Sequence, residues 1–332
     1  MADTRRAVRE WVSQQASTAS STYLVAVSGG GDSLALAWAA GIELPKLGFS
    51  VGAVVVDHQL QPDSAETAER AAEQASSLGL SPVVIKTVNA TGPGGPEDAA
   101  RRARYQAFTE AVHETGAAGV LLAHSEDDQA ETVLLGLTRG SGPGSLKGMA
   151  PSDGVLHRPL LGISRTVLRQ ALQDAGVEWW EDPHNSDQRY ARVRVRNDVM
   201  PVLEDALGPG ISQALARTAE LFREDAEALE ELAAQVVDQA VVHHGPTHVS
   251  VNVVEVMDQH PAVLGRVLRT MILTVGGGSP SYAQTKAMLA LVTSWKGQSA
   301  VSVPGASLER LGTEIHARAS AEETTRMVHD GI

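Results

Sequence analysis

The sequence predicts an α/β protein: a doubly wound parallel sheet, followed by a long helix and a small α+β domain. Three observations predict it. Apolar strand-like runs alternate with helical patterns up to residue 180. A glycine-rich turn, Ser28–Ser33, joins the first strand to the first helix of that alternation. A single apolar stripe then runs through a stretch too long and too evenly spaced to be anything but helix.

Tyr23–Val27 reads as a short buried strand. Val51–Asp57, "VGAVVVD", is nearly continuously apolar, as a strand covered on both faces should be. Pro82–Val88 is rich in β-branched residues, which favour the pleated conformation, and Gly119–His124 reads as a fourth strand. Helical patterns fill 33–41, 64–79, 97–115 and 126–138. Strand–helix–strand units of this kind build parallel sheets with right-handed crossovers, and ligands bind beyond the carboxyl ends of the strands. Asn89–Asp98 and Arg139–Met149 are rich in Gly, and the first also in Pro, so both read as loops.

Leu215, Ala219, Phe222, Ala226, Leu229, Ala233, Val236 and Ala240 recur at steps of four and three, one stripe on one helix. Beyond "HHGPTH" the pattern changes. Val249–Val253 reads as a strand, Pro261–Thr274 and Ser281–Trp295 as helices, and "SAVSVPG" and "LGTEIHAR" as closing strands. The expected domains are 1–210, a linking helix 211–244, a small domain 245–320 and a tail 321–332.

The 332 residues carry no cysteine, which rules out disulfides, thiolate metal sites, iron–sulfur clusters and a cysteine nucleophile. The first twenty residues lack the apolar core of a signal peptide, and no apolar run reaches the length of a membrane span, so a cytoplasmic protein with no membrane partner is expected. Net charge is −13, which by itself argues against a nucleic-acid partner, although binding depends on local patches. The oligomeric state stays open, a homodimer included.

Five stretches carry chemistry. In "SGGGDS" the glycines let the backbone approach an anion and turn N–H groups toward it, and the following helix adds its N-terminal partial charge. Ser28, Gly29, Gly30, Gly31 and Ser33 therefore read as a phosphate cradle. Asp32 would repel a phosphate unless a cation such as Mg²⁺ lay between them. The plainer alternative is a strand-to-helix turn capped by Asp32 and Ser33. Asp57 and His58 end the second strand, where a nucleotide would lie, or where a strand simply ends.

Arg101, Arg104 and Tyr105 share a helix face suited to phosphate or base contacts; Glu97 beside Arg101 offers the plainer salt-bridge reading. "AHSEDDQAET" places His124, Asp127, Asp128 and Glu131 at the end of the fourth strand. Asp127 and Glu131 share a helix face, as do His124 and Asp128 if the helix starts that early. Acids suit a helix's first turn, but this cluster exceeds that need; it can hold a cation and take a proton from an amine. Last, Arg189, Arg192, Arg194 and Arg196 form the most basic patch of an acidic chain, either a binding surface or a salt-bridged solvent face.

Ser-Gly-Gly-x-Asp-Ser after a strand resembles the PP-loop of the N-type ATP pyrophosphatases, which implies AMP-forming chemistry. The ordered set is more specific: 28–33; Val-Asp-His 56–58; Ala-Arg-x-x-Arg-Tyr 100–105; His-x-x-Asp-Asp-Gln-x-Glu-Thr 124–132; Arg-Gly-Ser-Gly 139–142 with Gly148-Met149; Arg-Pro-Leu-Leu 158–161; Asp-x-x-Asn 182–185; and Arg-x-Arg-Val-Arg 192–196. Together these resemble the bacterial tRNA(Ile)-lysidine synthetases, in their shorter form, over about 25–205. Departures are Gln59, Gln61, His184 and Val193.

The resemblance implies that ATP adenylates the ring carbonyl oxygen of the wobble cytidine in a minor isoleucine tRNA with a CAU anticodon, and that free L-lysine then displaces AMP. It implies Ser28–Ser33, Asp57 and His58 for ATP, Asp32 for Mg²⁺, and Arg101 and Arg104 for cytidine or phosphate. It implies His124, Asp127, Asp128 and Glu131 for lysine, and Arg189, Arg192, Arg194 and Arg196 with the small domain for the tRNA body. PP-loop thiolases are set aside because they need cysteine. A small-molecule amide ligase and a non-catalytic nucleotide-binding module are the remaining alternatives.

Overall fold

The computed structural model describes residues 1–14, 21–59, 63–89, 96–140, 143–181 and 187–321. It divides into two compact units: residues 1–139 with 145–220, and 221–332 with 140–144.

The first unit is an α/β sandwich. Its helices α1 (Ala2–Ser13), α2 (Gly31–Lys46), α3 (Ser64–Ser77), α4 (Pro96–Thr115) and α5 (Glu126–Arg139) alternate with β1 (Thr22–Ala26), β2 (Ser50–Asp57), β3 (Val83–Thr87) and β4 (Gly119–Leu121). The short α6 (Pro143–Leu146), the hairpin β5 (Ser152–Asp153) and β6 (Leu156–His157), and α7 (Arg165–Ala175) follow. The sheet order is β3-β2-β1-β4-β6-β5, parallel except for β5. The chain moves outward from β1 to β2 and β3, then returns to β4 on the other side of β1. The crevice between the ends of β1 and β4 is thus the switch point where such sheets bind ligands.

Helix α2 is the centre of this unit. Leu34, Ala35, Leu36, Ala37, Ala39 and Ala40 are all fully buried, in one cluster with Val8 and Trp11 of α1, Leu168 and Leu172 of α7, and Val25 and Val55 of the sheet. A helix apolar all round is a core helix, and its alanines let its neighbours pack close. Helix α1 was not expected from the sequence. It docks through Glu43 of α2, which is buried and pairs with Arg5, Arg9 and Lys46.

Past α7 come α8 (Ala191–Arg194), a π turn (Val195–Val199), α9 (Met200–Leu207) and α10 (Ile211–Ala240); the unit boundary falls within α10. The second unit pairs an antiparallel sheet, order β7-β8-β11-β10-β9, with helices. Its strands are β7 (Val241–Gly245), β8 (His248–Asn252), β9 (Val301–Val303), β10 (Ala306–Leu311) and β11 (Glu314–Ala319). Its helices are α11 (Val253–Val256), α12 (Pro261–Thr274) and α13 (Tyr282–Thr293). Alternating Val249, Val251, Leu308, Ile315 and Ala317 bury one sheet face against Leu264, Leu268, Met271 and Leu291.

Three local readings differ from the sequence. The helix expected over 211–244 ends at Ala240, where the chain turns into β7. Three strands, not two, close the chain: Gly305 and Gly312, both in the left-handed region, supply the tight turns that separate β9, β10 and β11. The fourth strand stops at Leu121, and α5 starts only at Glu126, so His124 precedes the helix instead of lying on it. Ser125 sets that start. Its hydroxyl accepts from the Asp128 N–H at 3.3 Å while the Asp128 carboxylate accepts from the Ser125 N–H at 2.9 Å, a reciprocal cap.

Candidate active site

The glycine turn lies at the β1 end of the switch-point crevice. Gly29 adopts φ +77°, a conformation that favours glycine. Gly30 caps α2, so the N-terminus of that helix opens directly onto the turn. Ser33 organises it: its hydroxyl donates to the Gly30 carbonyl at 2.8 Å and accepts from the Ser28 N–H at 3.1 Å. Asp32, in the first turn of α2, has its Oδ1 buried with no partner among the described residues, while Oδ2 accepts from Arg165 at 3.1 Å. Burial raises the Asp32 pKa; Arg165 pulls it back and the neighbouring Asp128 pushes it up again.

The acid cluster lies at the β4 end. Asp128 accepts from the N–H and hydroxyl of Ser125, both at 2.9 Å, and from Arg165 at 3.1 Å and Arg196 at 3.3 Å. Burial alone would raise its pKa; Arg165, the Ser125 N–H and Arg196 together bring it below the usual carboxylate range. Glu131 is held two-pronged by Arg196, at 2.7 and 3.1 Å, with Arg192 at 3.7 Å and Arg165 at 3.5 Å. Asp127 accepts the Arg165 backbone N–H at 2.7 Å. His124 is kept neutral: burial pushes its pKa down to about 4, and its Nδ1 is buried without a partner among the described residues.

Arg165 is the residue that sequence reasoning missed. It opens α7 and bridges Asp32 of the glycine turn to Asp128 and Glu131, joining the two ends of the crevice. A signal existed. The field of a helix N-terminus disfavours a cation, and the first turn of α7 holds no acid to offset it. An arginine there needs partners elsewhere in the chain.

Of the four arginines read as one basic surface, Arg192 and Arg196 turn inward. Arg192 also donates to the Thr132 hydroxyl at 2.9 Å, and Arg196 lies in the π turn, a distortion frequent at functional sites. Arg189 stays exposed, paired with Asp187, and Arg194 donates to the carbonyls of Gln188 and Arg189.

At the end of β2, the Asp57 carboxylate accepts the Gln59 N–H at 2.9 Å, a local turn. His58 Nε2 accepts from Arg104 of α4 at 3.2 Å, and its Nδ1 is buried without a partner among the described residues; burial and then Arg104 push its pKa down to about 4. Arg101 is exposed and lies over the Tyr105 ring, 4.7 Å from its centre. Gln129 clamps the Gly148-Met149 pair, donating to the Met149 carbonyl at 2.9 Å and accepting its N–H at 2.7 Å. Residues 90–95 of the Gly/Pro-rich loop, Gln61, and the stretch 182–186 that includes His184 lie outside the described residues, as does the Arg139 side chain.

Among the described residues no three His, Asp or Glu side chains converge on one point as a ready-made metal cage. Mg²⁺ in nucleotide chemistry needs less: one or two carboxylates, with phosphate oxygens and water completing the shell. The unpartnered Oδ1 of Asp32 fits that demand.

A PP-loop domain model matches residues 3–203. Three tRNA(Ile)-lysidine synthases are similar over most of the chain. That of Leifsonia xyli is 51% identical over 86% of this chain and 86% of its own. That of Thermobifida fusca is 46% identical over 91% of each, and that of Salinispora tropica 47% over 85% and 86%. The chain belongs to the PP-loop tRNA(Ile)-lysidine synthase family. A solved U34-tRNA thiolase from Methanococcus maripaludis, with its [4Fe-4S] cluster, shares the fold at a TM-score of 0.57 and 18% identity, over 67% of this chain and 79% of its own. The likeness is one of fold only; this cysteine-free chain has no ligands for such a cluster. No helix among the described residues is long and apolar enough to cross a membrane.

Proposed function

We infer that this protein ligates free lysine to the wobble cytidine of the CAU anticodon of a minor isoleucine tRNA, consuming ATP and acting in the cytoplasm. The observation that carries this reading is the Arg165 bridge from Asp32 to Asp128 and Glu131, which sets a phosphate loop against an acid cluster at one sheet crevice. An AMP-forming ligase with a cationic second substrate needs both halves. The family relationship supplies the substrate class.

The cytidine ring carbonyl oxygen attacks the α-phosphorus of ATP and pyrophosphate leaves. The glycine turn and the α2 N-terminus receive the pyrophosphate charge, and Ser28 and Ser33 donate to it. Asp32 would hold Mg²⁺, which when bound would supply neutralisation of the phosphate charge. The carbonyl oxygen becomes part of a phosphate ester, a far better leaving group. The ε-amine of lysine then attacks the ring carbon, and AMP departs with that oxygen.

Lysine reaches the site as an ammonium, with an unperturbed pKa of about 10.4. It must shed a proton before attack. Glu131 and Asp128 are occupied by guanidiniums, whereas among the described residues Asp127 makes one hydrogen bond, to the Arg165 N–H, so Asp127 is the carboxylate left to receive the ammonium. Arg101 and Arg104 contact the cytidine or its phosphate. Arg189 and Arg194, with the small second unit, hold the tRNA body.

Incubation with Mg·ATP and radiolabelled lysine tests this. Label entering a CAU-anticodon isoleucine tRNA, and lost when the wobble cytidine is changed to uridine, is the expected result. AMP formation with ammonia and a small acid, and no label in RNA, would favour the amide-ligase alternative.

A further inference from the structure

A phosphate nest works only if its N–H groups face inward and its carbonyls face out. Glycine makes this conformation accessible but does not hold it, because a peptide flanked by glycines can flip at little cost. A flipped 29–30 peptide would turn the Gly29 carbonyl oxygen onto the bound phosphates and repel them. Something must tether that oxygen.

The segment Glu178–Trp180, just past α7, does so. The Trp180 N–H donates to the Gly29 carbonyl at 3.1 Å. The half-buried Trp179 indole covers Gly31, so closely that a Cβ there would sit 3.3 Å from Cδ1. Gln74 of α3 anchors the segment from the other side, donating from Nε2 to the Glu178 carbonyl at 3.1 Å, and Arg70 lies over the Trp180 ring at 5.5 Å. The Gln74 Oε1 is buried without a partner among the described residues, and it would lie 3.6 Å from a Cβ on Gly29. None of these groups belongs to the reacting set described above.

We propose that Glu178–Trp180 is a strap that locks the phosphate loop in its anion-binding conformation, with Trp179 and Gln74 as positioning residues specific to ATP. This rests on the reading of the glycine turn as the nucleotide site. The strap acts on loop geometry before any substrate arrives, so its loss weakens ATP binding without altering the groups that handle lysine or cytidine.

The test uses the full chain and compares Trp179→Ala, Trp179→Leu and Gln74→Ala with wild type. ATP affinity is measured by equilibrium dialysis and steady-state constants for all three substrates, with melting temperature alongside. The strap predicts KM and Kd for ATP raised about tenfold in Trp179→Ala, less in Trp179→Leu and Gln74→Ala. It predicts kcat within about twofold and unchanged KM for lysine and tRNA. Gln74→Ala, on an exposed helix, keeps the test alive if a Trp179 variant fails to fold. Unchanged ATP affinity in all three, or equal losses for every substrate, would overturn the strap. Gly29→Val separates the two layers of the argument. If it abolishes ATP binding while the strap variants do not, only the strap fails. If it too leaves ATP binding intact, the nucleotide site lies elsewhere and both fail.

Discussion

Replacing Arg165 by Gln removes the one guanidinium shared by both halves of the site. Its side chain is 14% exposed, and those of Asp32, Asp128 and Glu131 are 26%, 11% and 2% exposed, so little water replaces it. The loss falls unevenly. Glu131 keeps Arg196, and Asp128 keeps Ser125 and Arg196, but Asp32 loses its hydrogen-bond partner and already has a bare Oδ1. Removing one partner of a buried pair costs about 3–5 kcal/mol, and the partial exposure of Asp32 puts this case near about 3. For a unit of this size about 3 kcal/mol lowers the melting temperature by roughly 6–12 °C. Calorimetric melting of wild type, Arg165→Gln, Asp32→Asn and the double variant measures it. The bridge predicts that Asp32→Asn adds almost nothing once Arg165 is gone, a coupling above about 1.5 kcal/mol. Arg165→Lys, which keeps the charge and loses the fork, should fall between. Additive losses, or an Arg165→Gln melt within about 2 °C of wild type, would refute the reasoning.

Asp127→Asn should leave ATP affinity within about threefold and cut lysine incorporation by at least about a hundredfold, the usual scale for a lost proton acceptor; unchanged turnover would remove Asp127 from the mechanism. Because His58 and His124 ionise near 4 in the folded chain against 6.5 when free, the unfolded chain binds the extra protons between those values. Stability should therefore fall as pH drops from 6.5 to 4, by up to about 3 kcal/mol for the buried His124 and by less for the partly solvated His58, and denaturant titrations of His124→Asn should show a flatter profile over that window. Glu43→Gln strips three cations of their shared buried carboxylate and should destabilise the first unit by about 3 kcal/mol, read as a lower urea midpoint with no change in KM for lysine. Gly148→Ala would put a Cβ 2.5 Å from the Gln129 Oε1 at a residue of φ +58°, and should cost about 1–3 kcal/mol by the same urea assay.

The parts of the site written locally were legible in the sequence. The glycine turn is six residues long, and the strand and helix that flank it declare themselves by composition. The same holds for the acid cluster, whose Ser125 and Asp128 even encode the helix start in a Ser-x-x-Asp cap. What stayed hidden depends on separation along the chain. Arg165 is 133 residues from Asp32, and "GISRTVL" shows an arginine in a helix's first turn that needs a partner without showing which acids it meets. Arg192 and Arg196 read as surface because a basic run usually is one. Charge balance points the other way: Asp32, Asp127, Asp128 and Glu131 could not gather in a crevice without buried cations, and the nearest arginine-rich stretch supplies two. Helix α1 was missed for a similar reason, since the carboxylate that docks it lies on another helix.

The most direct test of the central claim uses ATP labelled at the α-phosphate and CAU-anticodon tRNA, with lysine withheld. If the phosphate loop and acid cluster act in sequence on the RNA, labelled AMP should accumulate on the wobble cytidine. Added lysine should chase it off in wild type, and slowly in Asp127→Asn. Label attached to lysine, or AMP formed only when lysine is present and never bound to RNA, would contradict the account.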